Sequence, residues 1–166
     1  MKWTTRQLTT MALLTAIALA IHVAEAQIPP LVAIPGVKLG LANIVTVYAA
    51  FSIGGGAAAM ILVARILLGS MFGGGVMSLM YSLAGGLLCL AVTLLLRRVL
   101  TVKQIWVAGV MGAVAHNIGQ ILVAVVVTGT PSIVSYLPIL LISGVVTGTF
   151  TGFAAQAVVN RIGSRH

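Results

Sequence analysis

Apolar residues fill six stretches of the chain, at about 7–28, 40–53, 57–72, 75–96, 104–127 and 134–160, with short breaks between them rich in glycine, proline or basic residues. A helix crossing the hydrocarbon layer takes roughly 20 apolar residues at about 1.5 Å each. The pattern therefore predicts an all-α integral membrane protein, a compact bundle of six transmembrane helices forming a single domain over 1–166. The second and third stretches are too short to cross upright without thinning the bilayer or drawing on flanking residues. Gly54-Gly55-Gly56 and Gly73-Gly74-Gly75 bracket the third, and short, glycine-punctuated spans often line a site. The first stretch follows Lys2 and Arg6 and ends in Ala24-Glu25-Ala26, which resembles a signal-peptide cleavage pattern; it is read here as a retained helix.

Composition narrows the functions available. The 166 residues are 60% apolar and 6% charged, too few polar groups to cover a water-facing surface. Nine Lys or Arg stand against one acid, Glu25, and there is no Asp. That excludes chemistry built on several carboxylates, such as paired-carboxylate glycoside hydrolysis or carboxylate-bridged two-metal phosphoryl transfer. The net charge of +8 lies between apolar stretches, where a bilayer accounts for it better than a nucleic acid does. With six spans and an inside N-terminus, Lys2, Arg6, Arg97, Arg98, Lys103, Arg161 and Arg165 all fall on one side. The positive-inside rule then predicts a multi-pass protein of the plasma membrane with both termini cytoplasmic. Lys38 is expected in an outer loop, and Arg65 within the membrane. The lone cysteine, Cys89, sits in an apolar run and is read as a packing residue.

With this orientation the polar residues of the spans gather toward the outer half. His22 and Glu25 are three apart on one face of the first helix, and Asn43 and Thr46 are three apart on the second. Ser78, Tyr81 and Ser82 lie in the outer half of the fourth, His116, Asn117 and Gln120 run outward from the middle of the fifth, and Ser143 and Thr147 lie on the sixth. A cation at a helix centre costs roughly 2.5–3.5 kcal/mol on insertion scales, so Arg65 is expected to face an interior with partners or water. One reading makes it a ligand contact; another makes it a structural ion pair with Glu25, and the two are compatible. The segment 27–38, with three prolines and a glycine, cannot continue the first helix; it is either a lid over the site or a plain connector. No HxxxH or CxxC spacing supports a metal site, and none is expected.

Two stripes of small residues follow. Ala12, Ala16, Ala20 and Ala24 recur every four residues on the face opposite His22 and Glu25, a ridge suited to a close-packed helix of this chain or another. Gly144, Gly148 and Gly152 form a GxxxGxxxG series read as a close crossing inside the bundle.

The number and length of the helices, the alanine stripe, the outer loop after the first helix and the polar interior resemble the substrate-binding S-component of energy-coupling factor (ECF) vitamin transporters. More specifically, Pro35-Gly36-Val37-Lys38-Leu39-Gly40-Leu41-Ala42-Asn43, Arg65 with Leu67-Leu68-Gly69, and His116-Asn117-Ile118-Gly119-Gln120 resemble the signature stretches of the Gx transporter family, often labelled heptaprenyl diphosphate synthase component I. The first resemblance implies a prokaryotic non-enzyme subunit that captures a small, anionic vitamin-like or precursor molecule from outside. It also implies a membrane coupling subunit docked on Ala12, Ala16 and Ala20, and two cytoplasmic ATPases; this chain has no GxxxxGK[ST] of its own. On this reading Arg65 and Lys38 attract the anion, His116, Asn117 and Gln120 orient it, Asn43 helps close the site, and Glu25 and His22 complete the lining. No cofactor is expected. The alternative is a non-catalytic membrane accessory of a prenyl diphosphate synthase, because no aspartate is present to hold a magnesium–diphosphate. A free-standing channel fits less well, since a site open on one side only is a binding site.

Overall fold

The computed structural model describes residues 3–28 and 38–162. Among the described residues the regular structure is entirely helical: α1 (Thr5–Glu25), α2 (Asn43–Ser52), α3 (Gly55–Gly69), α4 (Gly75–Leu96), α5 (Ile105–Thr128) and α6 (Leu137–Ile162). A π-turn, Ser70–Gly74, joins α3 to α4, and 3-10 turns precede α5 and α6. Five helical segments are long and apolar enough to cross a membrane, with mean hydropathy of 1.7 to 2.2. Five long apolar helices and one short one are compatible with a multi-pass membrane protein.

Local chemistry sets the boundaries. Thr4 caps α1, its hydroxyl accepting from the Gln7 amide at 3.3 Å while Gln7 Oε1 accepts from the Thr4 amide at 3.0 Å, a reciprocal capping box. Between α2 and α3 the chain reverses at Gly54, whose φ of +127° is closed to residues with a side chain.

One end of the bundle collects the basic residues. Gly54 lies 3.9 Å from the Arg97 guanidinium, measured from where its Cβ would stand, and Met11, Ala50, Ala57 and Leu90 pack together there with Trp3, Ile53 and Leu94 alongside. Val159, in the last turn of α6, packs against Ile105 at the start of α5. The start of α1, the α2–α3 turn, the end of α4, the start of α5 and the end of α6 thus share this basic end.

The glycine series of α6 is an internal crossing. A Cβ on Gly148 would meet Val110 Cα at 2.7 Å, and one on Gly152 would meet the Trp106 carbonyl oxygen at 2.6 Å. Helices α5 and α6 therefore pack backbone on backbone, the geometry small residues permit. Gly119 brings α5 equally close to Ala84 of α4, and Gly112 faces Cys89, which is wholly buried as packing. Half of the α5 span is buried against 17% for α1 and for α6, so α5 is the central post.

Helix α1 is two-faced. Ala12, Ala16, Ala20 and Ala24 are all exposed, and His22 and Glu25 are buried.

Two expectations need correction. The second apolar stretch forms only a ten-residue helix, about 15 Å long, so α2 is a half-span. Nor does Lys38 occupy an outer surface loop: its backbone is bonded to Gln120, eight residues short of the end of α5, about 12 Å inside that end. The physical reason is the same for both. Residues 38–40 lie between α1 and α5, bonded to both, and the chain turns helical only at Asn43. The expected lid over 27–38 falls mostly on residues 29–37, outside the described residues.

Candidate functional site: a polar junction at mid-depth

Five parts of the chain meet where α2 begins. From α1, Glu25 Oε1 accepts the Gly40 amide at 2.5 Å, and the Ala42 amide also faces the carboxylate. The only acid in the chain is thus held by backbone amides in the turn just ahead of α2. Also from α1, His22 Nε2 accepts from Lys38 Nζ at 3.0 Å. From α3, Arg65 Nη2 donates to Asn43 Oδ1 at 2.7 Å.

The central helix supplies the rest. In the orientation that matches every donor to an acceptor, Gln120 accepts from the Lys38 amide at 3.1 Å and from His116 Nε2 at 3.2 Å, and it donates to the Lys38 carbonyl at 3.0 Å. It pairs with the entering backbone much as a strand would. Lys38 is half-buried.

Glycines make room for these side chains. Gly40 has a φ of +79°, and a Cβ there would stand 2.8 Å from both Asn43 Nδ2 and His116 Cδ2. Gly69 gives way to the His22 ring, whose Cδ2 would be 2.6 Å from a Cβ, and Gly85 to His116 Nδ1 at 2.7 Å. The fit requires glycine opposite each histidine.

The expected residues thus divide. His22, Glu25, Lys38, Asn43, Arg65, His116 and Gln120 form one continuous chain of contacts. Asn117 stands outside it: its Nδ2 donates to the Leu140 carbonyl at 2.5 Å and lies against Gly144, so it ties α5 to α6. The hydrogen-bond partner of Arg65 is Asn43 and not Glu25, because the Glu25 carboxylate is drawn to the backbone amides at the α2 start. The expectation that Glu25 holds Arg65 by a direct pair is corrected accordingly. Ser78, Tyr81 and Ser82 are buried on α4, with Tyr81 packed among Ile121, Ala124 and Leu140. Sequence reasoning missed Gly40, Gly69 and Gly85 as site-makers; their signal was a glycine at the depth of each histidine.

Arg65 is 2% exposed and Glu25 4% exposed. Among the described residues Arg65 Nε, Asn43 Nδ2 and His116 Nδ1 are buried with no hydrogen-bond partner, each a loss of about 1–3 kcal/mol if left so. Arg65 Nε and Asn43 Nδ2 are donors, whereas His116 Nδ1, with the ring proton on Nε2, is an acceptor; the two buried donors equip the junction to hold an acceptor group. Its one carboxylate is already engaged, and no cluster of three His, Cys, Asp or Glu forms among the described residues.

Neither the curated proteins nor the solved structures include a match to the chain. A family model described as heptaprenyl diphosphate synthase component I matches residues 14–158, from the first half of α1 nearly to the end of α6, and takes in every residue of the polar junction. The chain belongs to that family.

Proposed function

We propose that the protein is a solute-binding membrane subunit of the S-component type, which receives a small anionic molecule from the side opposite its basic end and depends on partner proteins for energy. The observation that carries this reading is the junction itself. Two cations, one amide ladder and unpartnered buried donors converge at mid-depth, where the Lys38 backbone pairs with Gln120 in the second half of α5. Half-helices with their starts at mid-membrane are a recurrent way to build such sites. The exposed Ala12, Ala16, Ala20 and Ala24 ridge supplies a smooth face for a membrane coupling subunit. The basic end, carrying Arg6, Arg97, Arg98, Lys103 and Arg161, faces the cytoplasm, where two ATPases would act.

The family description favours a second reading, a membrane accessory of a prenyl diphosphate synthase. In that role the chain would still be non-catalytic, since its single acid is engaged by the Gly40 amide. Affinity capture from native membranes separates the two. Recovery of two ATPases with a long-helix membrane protein supports the importer subunit; recovery of an aspartate-rich synthase in their place overturns it.

A further inference from the structure

We propose that the ligand of the polar junction carries one negative charge and belongs to the class of water-soluble monocarboxylates, met by Arg65 and Asn43; this rests on the binding reading above. The first argument is charge. Arg65 and Glu25 are both nearly inaccessible, and Lys38 stands half-buried at the rim. His22 adds nothing, because its Nε2 is the acceptor for Lys38. His116 uses its Nε2 proton on Gln120. With the Glu25 carboxylate held by Gly40, the junction is left with one net positive charge among the described residues.

An unbalanced charge away from water is unfavourable, and a second charge of opposite sign relieves it. One negative charge closes the balance. A diphosphate, with two or three, would leave the same interior negative by one or two, with no further buried cation among the described residues and no aspartate in the sequence to hold an offsetting metal.

The second argument is the donor set. Arg65 Nε and Asn43 Nδ2 are the unpartnered buried N–H donors of the junction, on residues already joined to each other at 2.7 Å. Two donors match the two oxygens of one carboxylate. A terminal phosphoryl group with three oxygens would exceed them.

The test uses the purified full chain in detergent and reads its melting midpoint. Sodium acetate and sodium benzoate, to about 50 mM, are compared with sodium chloride and sodium pyrophosphate at matched ionic strength. The expected result is a saturable rise of about 3 °C with a carboxylate over chloride, absent in Arg65→Gln. Asn43→Asp provides the second variant: it installs a carboxylate of nearly the same shape beside Arg65. It is expected to melt above wild type without additive and to lose the response. A larger Arg65-dependent rise with pyrophosphate overturns the monoanion and leaves the binding subunit standing. No carboxylate-specific rise, or a response retained in Asn43→Asp, also overturns it; affinity capture then judges the importer reading independently.

Discussion

The α5–α6 seam and the α1–α2–α3 junction are built on opposite plans. In the seam, Gly148 and Gly152 bring two backbones together with no side chain between them. In the junction, glycines also clear space, but imidazole rings fill it, and the helices are tied by Glu25, Asn43, Arg65 and Gln120. A backbone contact has a single close-packed arrangement, since atoms at van der Waals distance cannot yield without parting the helices. Side-chain ties can be exchanged for a ligand's. The seam is the frame; the junction is the part equipped to change partners.

The comparison breaks most sharply at the seam. Gly152→Leu should cost about 3 kcal/mol or more, the upper range for overpacking, since even its Cβ meets the Trp106 backbone. Loss of the monodisperse peak in size exclusion would register it, and a normally folded variant would mean the seam is not the frame. Arg65→Ala should leave membrane insertion intact and reduce retention of the natural ligand by about 100-fold, as for truncating a buried charge partner. Mass spectrometry of the small molecule released from wild type and variant measures this; equal recovery removes Arg65 from the site.

Glu25 sharpens the contrast, because it acts through Gly40. Glu25→Ala leaves that amide without its acceptor and should weaken retention by about tenfold. Glu25→Gln keeps an acceptor oxygen and should stay within about threefold of wild type; an equal loss in both would make the charge, not the hydrogen bond, the working feature. A smaller effect is expected on the exposed ridge. Ala16→Leu should lower the yield of co-captured partner proteins a few-fold, about the effect of spoiling one small-residue contact, with ligand retention unchanged. The reverse ranking would remove the ridge from assembly.

The long helices were legible because each apolar run is long enough to leave one reading, and the predicted 75–96 coincides with α4. The glycine crossing on α6 was legible for a related reason: three glycines on one face have no other packing use. Arg65 was legible through the expense of an isolated cation in hydrocarbon. The rest depended on where an unpatterned segment goes. Nothing in the local sequence of Lys38-Leu39-Gly40 says that it pairs with Gln120, some eighty residues on, so pattern alone puts Lys38 at the surface and makes α2 a span. Asn117 was misleading because it adjoins His116, yet one residue turns a helix by about 100°, enough to aim it at Leu140.

The ten residues of α2 also set the spacing between the junction and the basic end. Glu25 and Gly40 stand at one depth, and from there α2 carries the chain to the level of Arg97. Were α2 shortened by a turn, Gly54 would be drawn about 5 Å toward the junction and away from the Arg97 guanidinium.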